Sequence, residues 1–263
     1  MPENDAADGA STHAPTPTTS ASLPLDQHEG IERILVITAH PDDVDFGVAG
    51  SVATWVKAGI DVTYCIATDG DAGGSDRSIS RRDMAVLRRE EQRAAAAEVG
   101  VSDVVFLGYP DGRLTASLEL RRDLSRQIRV VRPQRVLCPS PERWWERIGA
   151  SHPDHLAAGE AAVCAVYPDA RNPFAHPELL DDEGLEPHTV AEMWIMATPR
   201  PDHAVDITDT FDRKVAALHR HVSQVGEGEW IEERMREWTQ ANARLAGLPE
   251  GRLAEVFQVV LTP

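Results

Sequence analysis

Two four-residue segments of this chain combine imidazole and carboxylate groups around a proline. His-Pro-Asp-Asp stands at residues 40–43, almost directly after a hydrophobic run, and His-Pro-Asp-His stands at residues 152–155. Polar residues of these types are unusual so close to the end of an apolar strand. Histidine nitrogens and carboxylate oxygens are common ligands of divalent metals. The simplest interpretation is that folding brings both segments to one metal ion.

The two segments contain the groups that a hydrolytic metal site requires. A catalytic zinc ion needs three nitrogen or oxygen ligands from the protein and one open position for water. His40, Asp43 and His155 supply two imidazoles and one carboxylate. Asp42 and His152 remain beside them, with the chemistry of a general base and a general acid. Since a metal ion activates water and polarises a carbonyl, these groups predict metal-assisted hydrolysis of an amide.

Each segment also has a purely structural interpretation. Asp42 or Asp43 could cap the helix that follows, and Asp154 could cap a helix that begins at Pro153. Two such segments at matching strand ends favour a shared site more strongly than either segment does alone.

Hydrophobic runs of strand length alternate with helical segments along most of the chain. The continuous apolar run at 34–37 predicts a strand that is covered on both faces. Alternation of this kind is typical of βαβ units, and it predicts an α/β fold with a mostly parallel sheet, helices on both faces and a single domain over residues 31–263. The predicted strands are 34–37, 60–67, 104–107, 135–138, 193–197, 204–207 and a final edge strand at 256–261, and the predicted helices are 46–58, 84–99, 118–131, 156–166, 211–221 and 230–246.

The order of these elements places both segments at one edge of the sheet. His40 follows the carboxyl end of the first strand, and His155 opens the helix after the fourth strand. Ligands of such sheets bind outside the carboxyl ends of the strands. The acidic, proline-rich segment 171–187 predicts a surface insertion or a lid.

The composition excludes several classes of partner. The net charge of −17 argues against general affinity for nucleic acid or anionic membranes. Residues 1–30 contain almost no large apolar side chains, which predicts a flexible tail without a signal peptide. The three cysteines lie in apolar segments and form no close pairs, which suits a reducing cytoplasm. The oligomeric state is not readable from the sequence.

Four motifs in this order resemble the PIG-L/LmbE-like deacetylase family: residues 39–43, 68–70, 108–114 and 152–155. The resemblance implies a zinc-dependent hydrolase on a Rossmann-like fold. Members of that family remove acetyl groups from N-acetylglucosamine linked to inositol, malate or lipid carriers, or cleave related amides such as mycothiol conjugates. A small N-acylated amino sugar is therefore the expected substrate, and hydrolysis of a larger thiol-conjugate amide is the alternative. A binding protein that kept the metal and lost turnover is an alternative of another class.

The resemblance also assigns roles to individual residues. It makes His40, Asp43 and His155 the metal ligands, Asp42 the general base and His152 the acid or oxyanion partner. Zinc is implied by the resemblance, whereas the ligand types alone also tolerate iron or manganese.

Two further residues are implied to contact the substrate. Arg88 matches the family's Arg-x-x-Glu element, and Asp111 lies in the turn at 108–114. Arg88 could instead be a solvated helix charge paired with a neighbouring acid, and Asp111 could be a turn former before Gly112.

The chain departs from the family pattern at two places. Many relatives have glutamate after the two aspartates, where this chain has Val44 followed by Asp45. Some have a tyrosine two residues before the second segment that helps to stabilise the oxyanion, where this chain has Ala150. The loop before that segment is aromatic and charged. Its Trp144 and Trp145 could stack on a sugar or pack the loop, and its Arg143 and Arg147 could bind a phosphate or carboxylate or be ordinary exposed arginines.

Overall fold

A seven-stranded sheet with six parallel-oriented strands forms the centre of the protein. The computed structural model describes residues 22–74, 76–226, 228 and 230–262. The strands are β1 (Arg33–Thr38), β2 (Asp61–Thr68), β3 (Asp103–Tyr109), β4 (Arg135–Pro139), β5 (Glu192–Met196), β6 (His203–Asp206) and β7 (Ala254–Leu261). Their order is β3-β2-β1-β4-β5-β7-β6. Strand β7 runs antiparallel to β5 and β6, and the other six strands all run in one direction. The predicted α/β class with a mostly parallel sheet is confirmed.

Helices cover both faces of this sheet. They are α1 (Asp43–Gly47), α2 (Ala49–Lys57), α3 (Arg81–Glu98), α4 (Leu118–Val131), α5 (Pro153–Cys164), α6 (Glu178–Asp181), α7 (Phe211–Leu218), α8 (Val222–Val225) and α9 (Trp230–Leu245). The single helix predicted at 46–58 is two helices, because the backbone leaves helical geometry at Val48, where φ is −143°. The helix predicted at 118–131 has those limits. The Ser117 hydroxyl accepts the N–H of Leu120 at its start, and Arg132 adopts a left-handed conformation at its end.

The strand residues alternate between two hydrophobic cores. Ile34 and Val36 pack into the core on one face of the sheet, whereas Leu35 and Ile37 pack into the core on the other. All four are fully buried. The first strand therefore had to be apolar throughout, as the continuous run at 34–37 predicts.

The strand at the carboxyl end of the chain was predicted wrongly as an edge strand. β7 lies between β5 and β6 and pairs with both, so that β6 forms the edge. Sequence alternation reports which faces of a strand are buried but not which strands lie beside it.

The segment predicted as a surface insertion or a lid lies away from the two histidine-aspartate segments. The Arg129 guanidinium, in the last turn of α4, donates hydrogen bonds to the carbonyl oxygens of Asn172, Ala175 and Leu185. The end of α4 leads into the start of β4, at the edge of the sheet opposite to His40. Residues 171–187 are thus tied to the opposite edge and do not cover the site.

The predicted flexible tail ends earlier than Gly30. Residues 1–21 lie outside the described residues, but Leu25 forms an isolated bridge with Ala204 in β6. The Asp26 carboxylate accepts two hydrogen bonds of 2.9 Å from the Arg135 guanidinium and one of 2.7 Å from Trp55 Nε1. This buried ion pair stabilises the ordered segment although the segment has few apolar side chains. Amino-acid composition does not reveal such a pair.

Removing the Asp26 carboxylate should therefore destabilise the fold. Arg135 is 2% exposed and lies 3.9 Å from the centroid of the Trp194 ring, so its charge would lose a buried partner. We expect Asp26→Ala to lower the free energy of unfolding by about 3 kcal/mol, measured by urea denaturation at pH 7. Glu32→Ala, which removes an exposed partner of Arg33, is the matched control and should leave the urea midpoint nearly unchanged.

The same pair predicts a pH dependence. Burial raises the pKa of Asp26, but the hydrogen bonds and charge of Arg135 outweigh burial and hold it below its ordinary value of 3.8. The stabilisation is therefore complete above pH 3.8 and is lost as the pH falls through the lower, folded-state pKa. The difference in the free energy of unfolding between wild type and Asp26→Ala should shrink in that acidic range. A difference that grows there would contradict the role given to the Asp26–Arg135 pair.

Candidate active site

The two histidine-aspartate segments meet at the carboxyl edge of the sheet. Residues 40–43 follow β1, and residues 152–155 follow the neighbouring strand β4 and begin α5. The ring centroids lie 5.0 Å apart for His40 and His152, 5.3 Å for His40 and His155, and 5.5 Å for His152 and His155. Ring nitrogens of all three lie within 4.8 Å of one another, close enough to hold a metal ion. The predicted convergence of the two segments is confirmed.

The Asp43 carboxylate lies between two of these imidazoles. Its Oδ1 is 3.0 Å from His155 Nε2, and its Oδ2 is 3.4 Å from His40 Nδ1. Burial raises the pKa of Asp43, but His155 and His40 outweigh burial and hold it well below the ordinary value. Asp43 is thus ionised and in contact with both histidines of the predicted ligand set.

The far nitrogen of each of these histidines has a fixed hydrogen-bond acceptor. His40 Nε2 lies 3.1 Å from both Asp111 Oδ1 and Asp154 Oδ2. His155 Nδ1 lies 3.3 Å from the carbonyl oxygen of Ala150. Such partners fix the ring orientation and the tautomer of metal-binding histidines. They leave His40 Nδ1 and His155 Nε2, the nitrogens beside Asp43, as the candidate metal-binding atoms.

Asp154, which the sequence presented only as a helix cap, contacts the candidate site. It is 1% exposed, and its carboxylate accepts the backbone N–H groups of Gly112 and Leu114 at 2.7 and 3.2 Å. The cap of α5 is instead the His152 side chain, whose Nδ1 accepts the Asp154 N–H. Asp154 therefore joins the turn after β3 to His40.

The donor set carries an excess of negative charge that suits a cation. Burial lowers the pKa of His40, but the carboxylates of Asp43, Asp111 and Asp154 outweigh burial and raise it to about 12. Three carboxylates around one imidazole stabilise positive charge at this point. The same field would stabilise a divalent ion bound between the histidines, so the residues present fit a metal.

His152 differs from the other two histidines in its protonation. Burial and the neighbouring His40 and His155 lower its pKa below the ordinary value, so the ring is neutral at pH 7. Because its Nδ1 accepts the N–H of Asp154, the proton of the neutral ring resides on Nε2. His152 is therefore prepared to donate a hydrogen bond from Nε2.

Arg88, the predicted substrate contact, is buried beside the first segment. Its side chain is only 4% exposed, and its guanidinium donates to Asp42 Oδ2 at 2.9 Å, to the carbonyl oxygen of Gly70 at 3.0 Å and to that of Pro41. A Cβ atom at Gly70, where φ is +61°, would stand 2.5 Å from Arg88 Nη1. The glycine-containing loop after β2 thus closes over the guanidinium, and Arg88 holds the first segment in place instead.

Asp111 also faces inward. It is 9% exposed and accepts the N–H of Ala72 in addition to its contact with His40. Its carboxylate is more than a turn former, because it orients a candidate metal ligand.

Asp42 is held in an unusual backbone conformation by buried partners. Its φ is +102°, a left-handed value that is strained for a residue with a side chain. Its N–H donates to Gln92 Oε1 at 2.8 Å, and Arg88 binds its carboxylate. Burial raises the pKa of Asp42 to about 6. The positive charge of Arg88 opposes this rise, whereas the negative charge of Asp43 adds a smaller one.

A buried chain of hydrogen bonds continues from this point into the core. Gln92 Nε2 donates to Asp45 Oδ2 at 2.8 Å, and His221 Nε2 lies 2.8 Å from the same oxygen. All three side chains are fully buried. His221, which follows α7, is thus buried against Asp45. The one sequence signal for this network was the displaced acid, Val44-Asp45, where many relatives have glutamate.

A cavity of about 480 Å³ adjoins the candidate metal site. Asp43 and His155 form part of its wall, and the other lining residues are Phe46, Gly47, Pro139, Arg147, Gly149, Ala150, Met196, Ala197, Arg234, Met235 and Trp238. Trp145 does not line it and is 75% exposed. The tryptophan of the cavity is Trp238 from α9, which sequence reasoning did not select.

Comparison with known proteins agrees with this geometry. Residues 35–166, half of the chain, match the family model described as "PIG-L: GlcNAc-PI de-N-acetylase", and the matched range includes both segments. The diacetylchitobiose deacetylase of Thermococcus kodakarensis is 34% identical over 200 residues, which cover 76% of this chain and 73% of that protein. The chain belongs to the PIG-L family.

Other members of the family extend this similarity. A probable N-acetyl-alpha-D-glucosaminyl L-malate deacetylase 2 of Bacillus subtilis is 31% identical over 211 residues, covering 78% of this chain and 89% of that protein. The structure of N,N'-diacetylchitobiose deacetylase from Pyrococcus horikoshii in complex with its inhibitor MPG superposes with a TM-score of 0.79 at 31% identity, covering 89% of this chain and 85% of that one. The family assignment made from four short motifs is confirmed.

Proposed function

We propose that this PIG-L protein is a zinc-dependent hydrolase that removes the acetyl group from an N-acetylglucosaminyl small molecule. The observation that carries the proposal is the convergence of His40, Asp43 and His155, with Asp42 and His152 beside them, at the carboxyl edge of the sheet. The relatives described above supply the substrate class, since both the archaeal and the bacterial proteins are named as deacetylases of such sugars.

Three sets of three side chains compete for the role of metal ligands, and all three contain His40. Asp43 and His155 complete the first set, His152 and His155 the second, and Asp111 and Asp154 the third. We assign the first set, because the Asp43 carboxylate contacts the ring nitrogens of both its histidines and is ionised. Zinc bound there would activate a water molecule and polarise the acetyl carbonyl. Iron or manganese would suit the same ligand types.

The remaining groups of the site divide the proton transfers of amide hydrolysis. The Asp42 carboxylate accepts a proton from the attacking water, and its raised pKa is near the value that a base needs at neutral pH. His152 donates a hydrogen bond from Nε2 to the oxygen that develops negative charge. The protonated Asp42 then passes its proton to the amine nitrogen as the C–N bond breaks, so that acetate and the free amine leave. With alanine at position 150, His152 is the side chain that we assign to the oxyanion.

Gln92 should act as a positioning residue for Asp42. Gln92→Leu removes the acceptor of the Asp42 N–H and the link to Asp45. We expect kcat to fall about 10- to 100-fold with little change in KM and with unchanged metal content, because the base is displaced but the ligands are not. Gln127→Leu in α4, a partly exposed glutamine outside the site, is the control. Loss of metal in the Gln92 variant would show a general collapse of the site instead.

Release of acetate tests the proposed function directly. Zinc-loaded protein should release stoichiometric acetate and free amine from at least one of a panel of N-acetylglucosaminides, measured by amine labelling. An amidase of larger amides, such as thiol conjugates, would cleave only substrates with a longer acyl or aglycone part. A protein that retained the metal without catalysis would bind the panel and release nothing.

The cellular location and the extent of the domain also belong to the proposal. None of the described helices is long and apolar enough to cross a membrane. The three cysteines are free thiols, and two of them are fully buried. We propose a cytoplasmic enzyme whose residues 31–263, extended by the ordered segment that begins at residue 22, act as one domain on a small-molecule substrate.

A further inference from the structure

The cavity beside the metal site contains two arginines without an acidic partner. Arg147 and Arg234 both line it, together with Asp43 and His155. Within the described part of the chain, no carboxylate lies within 4.0 Å of either guanidinium. Acidic residues outnumber basic ones by 43 to 26 in this chain, and Arg236, on the same helix as Arg234, is paired with Glu232.

The two guanidinium groups come from separate elements. Arg147 lies in the short 3-10 helical segment Trp145–Ser151 before α5, and Arg234 lies in the first turns of α9. The Arg147 guanidinium carbon stands 3.7 Å from the centroid of the Trp238 ring and 5.7 Å from that of Trp144. Stacking on an aromatic ring fixes the plane of the guanidinium while leaving its N–H groups available.

The two arginines also repel one another electrostatically. Burial lowers the pKa of Arg147, and the positive charge of Arg234 lowers it further. Two like charges held at one wall of a partly dehydrated cavity are unfavourable without a counter-ion. A bound oxyanion would relieve this repulsion and accept hydrogen bonds from both side chains.

By contrast, Arg143 does not belong to this group. Its guanidinium donates to the carbonyl oxygen of Ser151 and lies over the exposed ring of Trp145. Of the two loop arginines that could bind a phosphate or carboxylate, only Arg147 lines the cavity.

We propose that Arg147 and Arg234 bind an oxyanion, a carboxylate or a phosphate, carried by the group that is attached to the amino sugar. This inference rests on the proposed function and narrows its substrate to anionic N-acetylglucosaminides. The amide would lie at Asp43 and His155 while the anionic group reaches the two arginines that line the same cavity. The relatives include deacetylases named for a neutral disaccharide and for a malate glycoside, so the family alone does not decide this point.

Three matched substrates test the inference. They are the N-acetylglucosaminides of glycerol, glycerate and glycerol phosphate, which share a three-carbon aglycone and differ in charge. We expect kcat/KM for at least one anionic substrate to exceed that of the glycerol compound by about tenfold or more, as for a charge-assisted hydrogen bond at a partly buried site. The anionic substrate with the higher kcat/KM shows whether the arginines bind a carboxylate or a phosphate. A wild-type ratio near one would overturn the proposal.

Variants assign the preference to these residues. In Arg147→Gln/Arg234→Gln the ratio of anionic to neutral kcat/KM should fall towards one. Arg234→Gln alone should lower it in part, and because Arg234 is exposed this single change should not disturb folding. Arg236→Gln on the same helix, which removes a charge paired with Glu232, should keep the wild-type ratio. A double variant that retains the full preference would also overturn the proposal.

A binding measurement separates this inference from the proposed function. Calorimetric titration of the Asp42→Asn protein with the three glycosides reports affinity without turnover. Tighter binding of an anionic glycoside supports the arginine site even if no substrate releases acetate, in which case the proposed function fails and the binding site stands. Equal affinity for all three compounds, together with normal acetate release, refutes the arginine site and leaves the deacetylase intact.

Discussion

Asp42→Asn should lower kcat by about 1,000-fold while each chain still binds one metal ion. The asparagine side chain can still accept the hydrogen bond from Arg88, so the strained loop at φ +102° should keep its shape. It cannot take a proton from water, and the rate should therefore fall through kcat. The measurements are steady-state acetate release and elemental analysis of the purified variant.

Asp212→Asn provides the matched control for that change. Asp212 is an exposed residue in the first turn of α7 outside the site, so this variant should retain wild-type kcat and metal content. An Asp42→Asn protein with wild-type turnover would show that another group is the base. One that loses the metal would show that Asp42 is a ligand.

His155→Ala should lose both metal and activity. Its Nε2 contacts Asp43 and the far nitrogen is held by the carbonyl oxygen of Ala150, so the substitution removes a ring whose orientation is fixed towards the candidate metal position. We expect metal affinity to fall by more than about 100-fold, since even partners outside the ligand set are worth 10- to 100-fold. Metal content after dialysis, and the rise in melting temperature on adding zinc, report the change.

Two companion variants decide between the competing ligand sets. If Asp43 is the third ligand, Asp43→Ala should behave like His155→Ala, whereas His152→Ala should keep the metal and lose turnover. The reverse pattern would establish the three-imidazole set. His219→Ala, at an exposed position after α7, is the control for loss of a histidine.

Local sequence was sufficient to predict those helices and strands whose limits depend on their own residues. The apolar run 34–37 could only be a strand covered on both faces, and Ser117 fixed the start of α4. The position of the site also followed, because the carboxyl ends of parallel strands lie at one edge and both histidine segments follow such ends. The motif resemblance then identified the family and its chemistry.

Local sequence patterns could not predict contacts between distant parts of the chain. Arg88 was predicted as a substrate contact, with a solvated helix charge as the alternative. In the structure the loop after β2 covers its guanidinium, which donates hydrogen bonds to Pro41, Asp42 and Gly70. The tail was misjudged because Asp26 finds Arg135 109 positions away. In both cases a polar side chain is buried only because a partner from elsewhere satisfies it.

The sequence by itself determined the chemistry of this protein: which groups can bind a metal, which can move a proton, and at which edge of the sheet they meet. Tertiary structure alone decided how those groups are held and what surrounds them. His221 reaches Asp45 across 176 positions, and Arg147 stacks on Trp238 from another element. Short motifs record residues that are close in the chain, whereas hydrogen bonding and burial act between residues that are close in space. Orientation of the base and the charge of the substrate cavity therefore become visible only in the folded protein.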